Sequence, residues 1–258
     1  MADWYAGWSG PHGSNHHRLL AIPALLDLLE PQPGEAILDL GCGPGPLAPA
    51  ILRRRATYVG VDLSPRLVAV ARRTHGEARF LVADATALHE CRDIVPSSFA
   101  AATFLLSLQD IDPLEAAIAS AAHAVMEGGR VVAVLTHPCF RVPRQSGWGF
   151  DDRRKLRYRR IDRYLGRLAV PMQPHAGGRG STRSYHRPLG DYVAALSANG
   201  FVIDAMREIA DTAPAAGRAR ADTLSDSEIP LFLAIRARKL GPPKVRRSGA
   251  DDRRPSGS

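Results

Sequence analysis

Residues 36–62 read AILDLGCGPGPLAPAILRRRATYVGVD, and this stretch decides the fold. Ile37, Leu38 and Leu40 form an apolar run long enough for a buried parallel strand. Asp39-Leu40-Gly41-Cys42-Gly43-Pro44-Gly45 then breaks the run with three glycines at alternate positions. Glycine lacks a Cβ, so the chain can turn tightly and a ligand can approach its backbone. Leu47, Ile51 and Leu52 recur at helical spacing over 47–54, and 58–61 reads as a second strand closed by Asp62. That acid stands where it can reach a pair of ribose hydroxyls from the next strand. The dinucleotide fingerprint needs G-x-G-x-x-G, whereas here the last glycine comes one residue early. Asp39 beside the turn would repel a diphosphate but suits a ligand carrying an ammonium or sulfonium. A nicotinamide oxidoreductase therefore fits this unit less well.

Outward from this unit, strands and helices alternate. Upstream, Trp4, Tyr5 and Trp8 crowd the first eight residues, and Ser14-Asn15-His16-His17 precedes a helix over 18–29. Leu19, Ile22, Leu25, Leu26 and Leu29 lie on one face of that helix, with Asn15 or Ser14 as its N-cap. This aromatic, His-bearing segment either folds over a ligand or anchors the terminus to the core. Downstream, Ser64-Pro65 starts a helix over 65–74, residues 78–83 form a strand, and Asp84-Ala85 follows it. A strand over 99–106 leads into Ser107–Ile111 at its carboxyl end, where open α/β sheets bind ligands. A helix over 114–126, stopped by Gly128-Gly129, and a strand over 130–135 complete this half. Residues 188–199 read as a helix, and 201–206 and 230–237 as two further strands.

The formal charge of +8 is concentrated at one end. Residues 236–258 carry eight Lys/Arg against two Asp, so residues 1–235 carry only +2. GPPKVRRSGADDRRPSGS has the composition of a solvated, disordered tail, although a basic tail can also bind nucleic acid. Cys42, Cys91 and Cys139 are scattered, with no C-x-x-C pair. They suit a reducing cytoplasm, and neither a membrane span nor a secretory signal is expected. A zinc site from His137, Cys139, His175 and His186 fits no ligand spacing, so no metal is expected.

The D-x-G-x-G-x-G turn followed by VGVDLSP resembles motif I and its neighbour in the class I methyltransferases, which use S-adenosylmethionine (SAM). EGGRVVAVL resembles the strand that follows the fourth crossover helix in the same family. The resemblance covers 31–135 closely and the remainder loosely. It implies an α/β fold, a doubly wound seven-stranded sheet in order 3-2-1-4-5-7-6. Strand 7 would be antiparallel, with a lid inserted after strand 5. The implied organisation is a cap over the cofactor at 1–30, a SAM-binding core at 31–135 and a lid at 136–187. The core would resume over 188–238, leaving a basic tail at 239–258. THPCFRVPRQSGWGFDDRRKLRYRRIDRYL, HRPLGDYVAAL and EIPLFLAIRARK resemble stand-alone bacterial members that act on small molecules.

The resemblance implies roles residue by residue. Gly41, Gly43 and Gly45 would let the cofactor approach the backbone, and Asp39 would meet its ammonium. Asp62 and Leu63 would hold the ribose, and Asp84 and Ala85 the adenine. Leu106 and Gln109 would line the methyl channel, and Tyr5 and His17 would cover the cofactor from the N-terminal cap. The insertion carries six of the sixteen aromatics, which argues for order. Residues 151–168 add eight Arg/Lys against three Asp, either a solvated face or an attraction for an anionic acceptor. His137 and His186 are the candidate general bases, because imidazole titrates near neutrality, with Tyr185 as a hydrogen-bond partner. The reaction read from this pattern is methyl transfer to an O, N or C nucleophile of a small molecule, giving S-adenosylhomocysteine. The rivals are an RNA methyltransferase and a SAM-fold binder or cyclase that transfers no methyl.

Overall fold

The structure is a computed structural model that describes residues 13–172, 183–211 and 227–241. At its centre β1 (Ala36–Leu40) lies parallel to β2 (Thr57–Asp62) on one side and to β4 (Phe99–Leu105) on the other. β3 (Arg79–Val82) extends the sheet beyond β2, and β5 (Val125–Thr136) lies parallel beside β4. The last strand, β11 (Phe232–Lys239), inserts antiparallel between β5 and β10 (Phe201–Ile209). The order is therefore 3-2-1-4-5-11-10, the seven-stranded arrangement expected from the sequence. Because β1, β4 and β5 are covered on both faces over most of their length, they read as apolar runs rather than as alternating patterns.

The alternation of β1 shows how the two layers form. Leu38 and Leu40 face one core, with Phe104, α4 (Leu114–Ala124) and α5 (Leu189–Ala198). Ile37 faces the other, with α1 (Ile22–Leu29), α2 (Ala48–Leu52) and α3 (Pro65–Thr74). β1 thus feeds a helix on one face and β4 feeds α4 on the opposite face. The chain reverses its winding between them, which opens a crevice at their carboxyl ends.

Local signals set the helix ends. α3 begins where Ser64 and Pro65 place it, and the Ser64 hydroxyl accepts the Leu67 amide at 3.4 Å. A π-turn, His17–Ala21, precedes α1, and the Ser14 hydroxyl accepts the His17 amide at 3.4 Å. Asn15 instead accepts from the Arg18 guanidinium at 2.6 Å. At the other end of α1, the buried Arg130 guanidinium donates to Leu29 O at 2.6 Å and is paired with Glu35. It thereby satisfies a helix-terminal carbonyl that would otherwise be orphaned.

One boundary differs from the expectation. α4 stops at Ala124, not 126, and Val125 is already extended (φ −79°, ψ 134°), paired with Phe99. Pairing resumes at Ala101 with Arg130, so 126–129 bulge out of the strand. Gly128 has φ +75°, and a Cβ on Gly129 would lie 2.7 Å from Ala100 O. The glycine pair shapes this bulge instead of capping the helix, because burying Val125 in the core favours the strand over another helical turn.

The insertion after β5 is built from two hairpins. β6 (Ser146–Asp151) pairs with β7 (Leu156–Ile161), and β8 (Leu168–Pro171) pairs with β9 (Arg183–His186). Among the described residues, no helix is long and apolar enough to cross a membrane. Tyr5 and its neighbouring tryptophans, His175 and the basic tail beyond Gly241 lie outside the described residues.

Candidate active site

The crevice is built by two loops that touch. After β1 the chain turns back on itself, and the Gly41 and Cys42 amides both donate to Val61 O at 2.9 Å. Gly41, Gly43 and Gly45 have φ of +71°, +55° and +81°, which L side chains rarely adopt. A Cβ on Gly41 would lie 2.7 Å from Ser107 Cβ, in the loop after β4, so this glycine lets the two loops meet. A Cβ on Gly45 would lie 2.8 Å from the Phe80 ring of β3. Its first need for glycine is therefore packing within the protein.

Asp62 latches the turn to β2. One carboxylate oxygen accepts the Gly43 amide at 2.9 Å and the other accepts the Ser64 amide at 2.8 Å. Burial pushes its pKa up, against the pull of the two amides. Each oxygen keeps a lone pair for a further hydroxyl. Leu63 beside it is 68% exposed. Asp84 is also exposed, and one of its oxygens accepts both the amide and the hydroxyl of Thr86, while Ala85 is buried.

Asp39 is placed differently from Asp62. It is 1% exposed, and its two oxygens accept the Tyr58 hydroxyl at 2.7 Å and the Thr103 hydroxyl at 2.8 Å. Burial raises its pKa to about 6 despite these donors. The structure thus holds Asp39 inside the sheet as a tie between β1, β2 and β4. Direct contact with a ligand ammonium would require exposing it.

The loop after β4 forms the opposite wall. Leu106 is in the left-handed region (φ +53°), and the Ser107 hydroxyl donates to Leu40 O at 2.6 Å, joining this loop to β1. Gln109 is buried; its amide NH₂ donates to Leu106 O at 2.6 Å, while its Oε1 has no partner. Among the described residues it is the one buried side-chain oxygen or nitrogen without a partner. A stranded acceptor of this kind costs about 1–3 kcal/mol and is relieved by a ligand donor. On the N-terminal side, His17 is buried with its Nδ1 accepting from the Ser14 amide at 3.3 Å. Burial and neighbouring His16 lower its pKa to about 4. Gly13 packs His17 toward Pro46 of the glycine turn.

Comparisons with known proteins agree with this geometry. Residues 37–129 match a methyltransferase domain. Over 136 residues the chain is 31% identical to a ubiquinone biosynthesis O-methyltransferase of Xylella fastidiosa, spanning 51% of this chain and 55% of that protein. Over 127 residues it is 37% identical to a 23S rRNA (uracil(1939)-C(5))-methyltransferase of Azoarcus sp., spanning 48% and 29%. The alignment with the quinone enzyme thus spans about half the length of that relative. A solved S-adenosylmethionine dependent methyltransferase from Mesorhizobium loti superposes with a TM-score of 0.68 at 29% identity. That superposition covers 84% of this chain and 96% of the other. Residues 37–129 therefore carry a methyltransferase domain, on a fold shared with that SAM-dependent enzyme.

The residues of this crevice fit SAM. The crevice offers a turn with glycine at three alternate positions, a carboxylate at the end of β2 and a stranded acceptor at Gln109. These suit, respectively, close approach, ribose hydroxyls and a donor group of the ligand.

The insertion corrects the expected bases. His137 is 2% exposed; its Nδ1 accepts the Cys139 amide at 3.2 Å, which leaves the proton on Nε2, 2.8 Å from Glu208. Nε2 joins the end of β5 to β10 and Nδ1 is held by the local Cys139 amide, so both ring nitrogens are engaged. His186 is buried and its Nε2 donates to Tyr164 O at 2.6 Å. Tyr185, between buried Ser184 and His186 on β9, points to the other face of its hairpin and lies under the Arg187 guanidinium at 5.1 Å.

The tie that sequence reasoning missed is Arg187. It is 3% exposed and donates to Ile111 O at 2.8 Å and Asp112 at 2.7 Å, clamping the insertion onto the loop after β4. Its place beside two expected site residues was the available signal. Asp110, in the same loop, was also passed over. It reaches solvent on one side while protein crowds the rest of its carboxyl. That crowding raises its pKa to about 7, against a hydrogen bond from Ser184 of β9.

Proposed function

We propose that this methyltransferase moves the methyl group of SAM to an O, N or C nucleophile of a small molecule, leaving S-adenosylhomocysteine. The observation that carries the reading is the contact of the glycine turn at Gly41 with Ser107, flanked by the Asp62 carboxylate. When bound, SAM supplies a methyl already activated by the sulfonium, so the protein's task is alignment and exclusion of water. Gly41, Gly43 and Gly45 would border the cofactor, with Asp62 toward the ribose and Asp84 and Ala85 toward the adenine. Leu106 and Gln109 would face the reacting end. The segment before α1 would serve as a cap and the 136–187 insertion as a lid that supplies acceptor contacts. The quinone-type relative and the aromatic content of the insertion support a small acceptor.

RNA as the acceptor is the second reading, favoured by the rRNA enzyme among the relatives and by the basic hairpin. Against it, Arg141, Arg157 and Arg159 lie at 5.4, 4.1 and 5.3 Å from the centre of the Trp148 ring. Part of the positive surface is therefore spent on internal cation–π stacking.

Calorimetric titration of SAM and S-adenosylhomocysteine into the wild type and Asp62→Ala tests the primary reading. Micromolar binding that weakens at least tenfold in the variant is expected. No binding of either ligand by the folded wild type overturns it. An RNA affinity that drops steeply between 50 and 200 mM salt would move the acceptor to nucleic acid.

A further inference from the structure

The carboxylates around the crevice are not equivalent. Asp39 is held by two hydroxyls inside the sheet, Asp62 by two backbone amides and Asp84 by Thr86. Asp112 is paired with Arg187. Asp110 ends the short 3₁₀ turn Leu108–Asp110 at the carboxyl end of β4, directly after the stranded Gln109. Its amide donates to Ser107 O at 2.8 Å, so its backbone is fixed to the residue that touches Gly41. Its turn packs on β9 of the insertion, where Ser184 stands beside its carboxyl, and no cation pairs with it among the described residues. It therefore stands where the cofactor-binding core and the insertion meet, with one edge open to solvent.

We infer that Asp110 is the proton acceptor for the incoming nucleophile, held in place by Ser184. The inference rests on the methyl-transfer reading above. As the acceptor's heteroatom forms its bond to the methyl carbon, the carbon–sulfur bond breaks and its electron pair stays on sulfur. The heteroatom's proton passes to a carboxylate oxygen of Asp110, which returns it to water through its exposed edge. Amines or thiols that are already deprotonated would not need this step.

The surroundings favour the assignment. Arg187 is the nearest buried cation, but its guanidinium is taken by Leu108 O, Ile111 O and Asp112. From α5 comes Tyr192, buried and held neutral, and from β9 His186, whose Nε2 donates to Tyr164 O. Arg183 of β9 is exposed. β5 presents Val131, Ala133 and Leu135 toward the layer that holds Leu108. With its pKa raised to about 7, a carboxyl here sits near the working range of a general base.

Carboxyl ¹³C NMR of Asp-labelled wild type, assigned through Asp110→Asn, tests the placement without needing the acceptor. A sulfonium within reach of the carboxylate lowers its pKa, whereas the neutral thioether of S-adenosylhomocysteine does not. Asp110 should titrate about one pH unit lower with SAM than with S-adenosylhomocysteine, an order-of-magnitude expectation for charges about 6 Å apart. Equal titration in the two complexes, both saturated, overturns the inference and leaves the methyltransferase reading intact; failure of both ligands to bind overturns both. Labelled-methyl transfer to phenols graded in acidity supplies a second readout. Asp110→Asn should lower kcat about 100-fold or more for phenols protonated at the assay pH and spare those already ionised. Equal losses across the series also overturn it.

Discussion

The core over 31–135 and the insertion over 136–187 use polar residues in opposite ways. In the core, most contacts that shape the crevice come from the backbone: two amides on Val61 O, two on Asp62 and a hydroxyl on Leu40 O. In the insertion, side chains do the holding. His137 reaches Glu208, Arg159 reaches Phe140 O, His186 reaches Tyr164 O, and Arg187 reaches across to Asp112. A pair of two-stranded hairpins has little core of its own and cannot stand alone in water. Its polar residues must hold it together and tie it to the rest of the protein: His186 is engaged within the insertion and His137 at the sheet.

Breaking the core should cost most. Gly41→Ala places a methyl 2.7 Å from Ser107 Cβ at a left-handed φ, so about 4 kcal/mol and most SAM affinity should be lost. Gly190→Ala, with open space around its Cβ in α5, should gain a few tenths to about 1 kcal/mol. Equal effects in thermal melts would contradict the backbone account.

Releasing the insertion should cost less and strike elsewhere. Arg187→Ala strips the partner from Asp112 and from two carbonyls, at about 3 kcal/mol. Denaturant unfolding measures that loss. Calorimetry should find SAM affinity within about threefold of wild type, because none of the residues proposed to face the cofactor is bonded to Arg187. A parallel collapse of SAM binding would show that the two regions are not separable.

A further effect lies in Asp39, and its sign is set by burial. Its folded pKa, about 6, exceeds the ordinary 3.8, so the folded state binds the proton more tightly than the unfolded chain. Stability relative to Asp39→Asn should therefore fall as pH rises through that interval, by about 2 kcal/mol between pH 4.5 and 7. Urea unfolding of both proteins at a series of pH values checks this. A rising difference would mean that Tyr58 and Thr103 hold the charged form better than burial penalises it.

The sequence by itself determined the order of strands and helices outside the insertion, the start of α3 at Ser64-Pro65, and the turn after β1 with Asp62 at the end of β2. These follow from patterns within about thirty residues: apolar runs, caps, and glycines where only glycine tolerates the backbone. Only the tertiary structure decided what several of those residues do. Gly45 must be glycine because of Phe80, and Asp39 is turned inward by Tyr58 and Thr103. Gly128-Gly129 bulge a strand because Val125 pairs with Phe99. His137 is engaged because Glu208 returns on β10. In each case a hydrogen bond or a van der Waals contact joins residues that chain connectivity leaves far apart, and their meeting depends on how the whole sheet closes.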